Sequence, residues 1–180
     1  SFAGTDKVIC RNDSISLGTP PETGFVYGWS PATYLRNKHF STATYYYPGA
    51  ELPVPNPAII NLIAQKEGCS FTDQLVVATI ESRAGGAGCG PRLIGLPDRT
   101  PGINENYTWV KVSGPGNFTG PTNFPQVPVS ASVGGTTIYG LTVSYNGGSC
   151  YSEVSVPDSC NVGAGSCTIE RKTDARYHCP

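Results

Sequence analysis

The chain has 180 residues, a formal net charge of −1 and only 14 % charged residues. That balance excludes a basic nucleic-acid-binding face and an acidic disordered tail. Twenty-two glycines and sixteen prolines exclude a mainly helical protein, and no apolar run approaches the roughly 18 residues that a membrane helix needs. The chain opens at Ser1 without a basic, apolar leader and contains no Met. A mature or excised fragment, its signal peptide already removed, is the expected reading.

Val8-Ile9-Cys10 and Ser14-Ile15-Ser16-Leu17 read as two short strands, the second ended by Gly18. Thr19 to Gly24 is a turn. Phe25, Tyr27 and Trp29 share one face of the next strand, which Pro31 ends. Residues 31–57 are irregular, broken by Pro48, Pro53, Pro55 and Pro57 around a candidate strand at Thr42 to Tyr47. Ala58 to Gln65 is a strong strand with Ile60, Leu62 and Ala64 on one face. Lys66-Glu67-Gly68 turns the chain, and Gln74 to Ile80 returns as its hairpin partner. A glycine-rich break at Glu81 to Ala87 marks a boundary. The plan then recurs. Leu93-Ile94-Gly95 echoes Leu17-Gly18, Asp98 to Gly102 is a turn, and Tyr107 to Val112 is a second tryptophan strand. Thr137 to Tyr145 is the late strand, Asn146-Gly147-Gly148 its turn, and Tyr151 to Val156 the return.

Three landmarks give the recurrence a period. Cys10, Trp29 and Cys69 are spaced by 19 and 40 residues; Cys89, Trp109 and Cys150 by 20 and 41. Corresponding landmarks lie 79, 80 and 81 residues apart, which implies two tandem modules. We take them as 1–82 and 83–157, with 158–180 a cysteine-containing tail or the start of a third module. Short strands joined by frequent turns predict an all-β fold, one antiparallel β-sandwich per module. Trp29 and Trp109 are the expected core plugs. Modules this small need a staple, so one disulfide per module is expected: Cys10 with Cys69, and Cys89 with Cys150, in an oxidising compartment. Closing a loop of about 60 residues is worth roughly 3–4 kcal/mol. In the tail, Cys160 is expected to pair with Cys179 or Cys167, leaving one thiol for a residue beyond the fragment or for another chain.

Catalytic chemistry finds little support. Gly28-Trp29-Ser30-Pro31-Ala32 approximates a nucleophile elbow, but Pro31 blocks the helix that motif requires. Cys160, Cys167, Cys179 and His178 lack the close pair of a zinc site. Asp6, Asp13, Glu22, Asp73 and Asp98 are expected to be solvated turn acids, with Ca²⁺ at module junctions as the alternative; no other cofactor is implied. Tyr34, Tyr45, Tyr46 and Tyr47 form a candidate ligand surface for sugar rings, although alternation separates Tyr46 from Tyr45 and Tyr47. Ordinary edge-strand packing is the competing expectation.

Gly28-Trp29-Ser30-Pro31-Ala32-Thr33-Tyr34-Leu35 resembles the W-S-P-x-x-x-L signature of PKD-like, immunoglobulin-like repeats. Ala3-Gly4-Thr5-Asp6 before Ile9-Cys10, Ser16-Leu17-Gly18, the run Ile60 to Cys69, and Thr72-Asp73 fit it too. Trp109-Val110-Lys111-Val112-Ser113-Gly114-Pro115 is similar to another branch of the same family. Such repeats build very large surface proteins of gliding and adhesive Bacteroidota, exported by the type IX system. The resemblance covers residues 1 to about 157 and implies two tandem immunoglobulin-like sandwiches. It also implies a non-enzymatic structural or adhesive module of a long extracellular adhesin or filament. Its partners would be neighbouring repeats, other subunits or surface glycans, with no nucleic acid and no membrane insertion. A carbohydrate-binding accessory module of a secreted enzyme is the alternative. Asp13-Ser14-Ile15 resembles the short O-glycosylation motif of the same bacteria, which makes Ser14 a candidate glycosylation site.

Overall fold

Alternation of small and branched apolar residues decides the strands. Ala58–Lys66 buries every second side chain and exposes those between, the signature of a strand with one face on a core. The structure is a computed structural model and describes residues 1–47, 56–85, 92–95, 104–130, 132 and 134–157. Among these, twelve strands and a single 3-10 turn at Ala32–Tyr34 make up the regular structure. In chain order the strands are β1 (Lys7–Cys10), β2 (Ser14–Gly18), β3 (Val26–Ser30), β4 (Leu35–Arg36), β5 (Thr42–Tyr46) and β6 (Ala58–Lys66). They continue as β7 (Cys69–Ile80), β8 (Arg92–Gly95), β9 (Asn106–Ser113), β10 (Gln126–Val129), β11 (Thr137–Tyr145) and β12 (Gly148–Val156).

The fold is all-β and immunoglobulin-like, in two tandem copies. The chain divides into two compact units. One takes Ser1–Ser82, with Thr100–Glu105 and Val143–Cys150; the other takes Arg83–Arg99, Asn106–Thr142 and the chain from Tyr151 on. In the first unit a four-stranded sheet, β1-β7-β6-β3, faces a three-stranded sheet, β2-β5-β4. β6 and β7 form a long antiparallel hairpin, with Ala58 opposite Val77 and Lys66 opposite Cys69. β1 runs parallel to β7, with Lys7 opposite Val77 and Cys10 opposite Ile80. The inward faces supply the core, where Leu17, Trp29, Tyr45, Ile60, Leu62 and Val77 are all buried.

The second set of strands repeats this plan. β12-β11-β9 form one sheet and β10-β8 the other. β8 stands for β2, β9 for β3, β10 for β5, and the β11–β12 hairpin for β6–β7. Ile94, Trp109, Val127, Tyr139 and Leu141 are buried. The sandwich order follows because the tryptophan strand pairs with the late hairpin in each copy, while β2 pairs with β5, and β8 with β10, in a separate sheet.

Three features depart from the sequence expectation. β7 begins at Cys69, five residues before the expected Gln74, because Ser70, Phe71 and Thr72 continue the ladder opposite Gln65, Ala64 and Ile63. β4 is two residues long and β10 contains Pro128, and neither carries enough alternation to be visible. The parallel β1–β7 pairing joins segments about 70 residues apart, a long-range fact that no local pattern records.

Candidate functional site

Glycine and tryptophan set the frame of each copy. Gly18, at the end of β2, has φ +91°, and a Cβ there would fall 2.1 Å from the Ser41 carbonyl oxygen and 2.9 Å from Cζ2 of Trp29. Gly95, at the end of β8, has φ +90°, with the Pro125 oxygen at 2.2 Å and Cζ2 of Trp109 at 2.8 Å. Only glycine adopts this backbone without steric cost and leaves room for the ring. Each indole N–H donates to a main-chain carbonyl: Trp29 to Phe40 at 2.9 Å, Trp109 to Phe124 at 3.0 Å. Each tryptophan's backbone N–H also donates to the same stretch, to Lys38 and Thr122 respectively. Trp29 is 4 % exposed and Trp109 3 %, so a buried polar N–H is satisfied in both copies. The acceptors escaped sequence reasoning because they sit 11 and 15 residues after their tryptophans. The recurring phenylalanine before Ser41 and Pro125 was the only signal.

The late hairpins carry the chemistry. Both turn through two residues at positive φ: Glu67 and Gly68 at 50° and 83°, Asn146 and Gly147 at 44° and 83°. This is the tight turn that matches strand twist. Counted from the turn, Cys69 corresponds to Gly148, and Phe71 corresponds to Cys150.

Cys10 is bonded to Cys150, with Cα atoms 5.7 Å apart and 140 residues between them in sequence. The expected pairing of Cys10 with Cys69, and of Cys89 with Cys150, is therefore corrected. In the parallel register Cys10 lies opposite Ile80, and Cys69 opens the same strand eleven residues earlier. At about 3.3 Å per residue that distance is roughly 36 Å, whereas a bridge needs Cα atoms within about 7 Å. Matching spacings of 40 and 41 concealed the two-residue shift of the cysteine relative to the turn. Cys69 is free and exposed. Cys89, Cys160, Cys167 and Cys179 lie outside the described residues.

The tip of the second hairpin, Val143–Cys150, belongs to the first unit, so the disulfide is internal to that unit. Cys150 is buried, its Sγ 3.8 Å from the Ile80 carbonyl oxygen. A Cβ on Gly148 would fall 2.5 Å from the Val8 side chain; the bare glycine is what admits the tip against β1. Beyond the bridge, Arg11 pairs with Glu81 at 2.6 Å. Burial raises the Glu81 carboxyl pKa, and the Arg11 charge opposes that rise.

The four candidate-surface tyrosines follow the ordinary-packing expectation rather than forming one platform. Tyr45 is fully buried in the core, and burial raises its phenol pKa. Tyr34 and Tyr47 pack against that core, Tyr34 meeting the Tyr45 ring edge-on at 6.5 Å. Only Tyr46 faces outward; its hydroxyl donates to the Thr33 carbonyl and the Arg36 guanidinium lies 5.1 Å above its ring. One face of the Thr42–Tyr46 strand is core, so alternation removes Tyr45 from any shared platform. Ser14 is exposed at the start of β2, opposite Tyr46.

Among the acids, Asp6 accepts from the Val76 N–H at 2.8 Å. Asp73 accepts from the Ala3 N–H at 2.9 Å and the Ser1 hydroxyl at 2.8 Å, and these bonds hold its carboxyl pKa below the ordinary value. Both carboxylates pin the N-terminal segment to the edge of β7. Asp98 lies outside the described residues. Among the described residues no group of three or more His, Cys, Asp or Glu is placed to hold a metal ion, and no helix is long and apolar enough to cross a membrane.

No family model matches the chain, and no curated protein does. Solved structures of tandem immunoglobulin-like proteins do. An I-band fragment of titin is 12 % identical, with 86 % of this chain and 62 % of that one covered and a TM-score of 0.38. The N-terminal eight immunoglobulin domains of the Down syndrome cell adhesion molecule are 12 % identical over 86 % of this chain and 26 % of that one, at 0.46. A SusE-like, surface-located polysaccharide-binding protein of Bacteroides thetaiotaomicron is 11 % identical over 86 % and 32 %, at 0.35. The chain spans less than two thirds of each of these proteins. With identities this low, the immunoglobulin-like assignment stands on the chain's own strand order.

Proposed function

We propose that this chain is a non-enzymatic structural and adhesive repeat of a long extracellular surface protein or filament, built as module 1 (1–82), module 2 (83–157) and a tail. The observation that carries the reading is the bridge between Cys10 and Cys150, 140 residues apart. Tension entering before Cys10 and leaving after Cys150 crosses two sulfur atoms instead of running through the polypeptide between them. That suits a stalk under shear. The disulfide also belongs to an oxidising compartment, and low charge with buried, glycine-seated tryptophans suits a passive scaffold. The W-S-P-x-x-x-L resemblance adds a gliding-type surface lineage and export by the type IX system. A glycan-binding role is weaker, since only Tyr46 of its four tyrosines faces outward.

Single-molecule stretching tests the reading. The chain is held beyond residues 10 and 150 and extended with and without reductant. The 140 residues, at about 3.4 Å each when extended, store roughly 470 Å. That length should appear only after reduction. Equal extension in both states refutes the proposal.

A further inference from the structure

The second unit makes room for an aromatic ring that stays in water. Tyr151, on β12, is 55 % exposed. Its hydroxyl donates to the Glu153 carboxylate at 2.7 Å. The hydroxyl end of the ring lies against Gly140 on β11, the middle strand of the β12-β11-β9 sheet. A Cβ on Gly140 would fall 2.7 Å from Cε2 and 2.8 Å from Cζ of that ring, and closer still to its hydroxyl oxygen. Gly140 is not at positive φ, so its backbone does not call for glycine; the tyrosine does. Glycine inside a strand weakens it and marks a close approach from outside. A ring left in solvent adds little to the fold, so what the ring meets from outside is the reason to seat it.

We propose that the outer face of this sheet binds a neutral glycan, with one pyranose ring stacked on Tyr151. The proposal rests on the adhesive reading given above and names what is held; it uses none of the four tyrosines weighed earlier. Three observations carry it. The ring is held at its tip by Gly140 and Glu153, so it gives up little freedom on binding. Its open surface suits the apolar C–H face of a pyranose, whose hydroxyls then need polar partners at the rim. The rim supplies them. A carboxylate accepts at both oxygens, and the tyrosine hydroxyl takes only Oε1 of Glu153. Thr108, Thr142 and Ser155 each lie between two buried neighbours, Tyr107 and Trp109, Leu141 and Val143, Val154 and Val156, and so face outward with hydroxyls of their own.

Charge decides the class of glycan. Among the described outward positions of β9, β11 and β12, Glu153 is the sole charge. It repels sulfated and uronate-rich chains and leaves neutral ones. A basic peptide would gain one exposed ion pair there, which is worth little in water. The site belongs to the second copy alone. Counted from the hairpin turns, Tyr151 corresponds to Thr72 and Gly140 to Asn61, so the glycine is present where the tyrosine is and absent where it is not. All the residues named lie in the second unit.

The test titrates the ¹⁵N-labelled 180-residue chain with cellohexaose, laminarihexaose and maltohexaose, and with a heparin hexasaccharide and hexalysine as charged probes. At least one neutral hexasaccharide should shift the amides of Gly140, Tyr151 and Glu153 at millimolar concentration. Tyr151→Ala should weaken that binding about tenfold, the order expected for one lost aromatic contact. Gly140→Ala should weaken it too, because the added methyl displaces the ring tip, while its urea midpoint is unchanged or higher; that pairing separates a lost site from a lost fold. Tyr46→Ala should bind as wild type. The proposal is overturned if no neutral hexasaccharide moves these amides, if only the heparin hexasaccharide or hexalysine does, or if Tyr151→Ala binds as wild type. Tyr151→Ala keeps Cys10 and Cys150 and should still store the bridged length until reduced, so failure of the glycan site is distinguishable from failure of the stretching test.

Discussion

Three glycine-to-alanine substitutions separate the two costs of the glycine–tryptophan contact. At Gly28 an added Cβ meets nothing within 4 Å and the backbone is ordinary. Alanine there should be neutral or stabilise by about 0.5–1 kcal/mol, since glycine in a strand is entropically poor. At Gly68 φ is +83° with open space around it, so only the backbone penalty applies, about 1 kcal/mol. At Gly18 φ is +91° and the Cβ would sit 2.1 Å from the Ser41 oxygen and 2.9 Å from the Trp29 ring. The backbone penalty then adds to an overpacking cost of about 1–3 kcal/mol, roughly 2–4 kcal/mol together. With a urea slope near 2 kcal/mol per molar, the midpoint should fall by about 1–2 M. Urea unfolding followed by tryptophan fluorescence measures all three. Gly95→Ala should behave as Gly18→Ala does, because Pro125 and Trp109 meet it in the same way. If Gly18→Ala costs no more than Gly68→Ala, the indole is not seated on the glycine and the shared frame of the two copies fails.

The bridge should be the largest single stabilising element: Cys10→Ser with Cys150→Ser releases a span of 140 residues, and the loop-closure relation puts the loss at about 5 kcal/mol, readable as a fall in urea midpoint equal to that of reduced wild type. Asp73 should make the N-terminal edge acid-sensitive. Its carboxyl pKa is lowered chiefly by the Ala3 N–H, so its contribution is present above the unfolded carboxylate pKa and is lost as pH falls through the folded one. Amide exchange at Ala3 should accelerate across that acidic window in wild type and be fast and flat in Asp73→Asn; an unchanged profile in the variant would exclude this carboxylate as the pin.

The fold was largely legible because its strongest signals are local. Ile60, Leu62 and Ala64 alternate, Glu67-Gly68 and Asn146-Gly147 are turn dipeptides, and two tryptophan strands recur at one period. What could not be read is long-range. The parallel partnership of β1 with β7 decides which cysteine Cys10 can reach, and it places Cys69 about ten residues too far along the strand. Period arithmetic aligned the trailing cysteines with each other, whereas the turn aligns Cys150 with Phe71. For the tyrosines, alternation assigned the faces correctly but could not say that the Tyr45 face was the core.

The tryptophan acceptors carry a consequence for variation. Phe40 lies 11 residues after Trp29 and Phe124 lies 15 after Trp109, yet both carbonyls receive the indole N–H at nearly the same distance. Loop length between those two anchor points is uncoupled from the interior. A segment fixed at both ends but free in length is where a repeat can diverge, and where a foreign peptide could be grafted for display without disturbing the tryptophan beneath it.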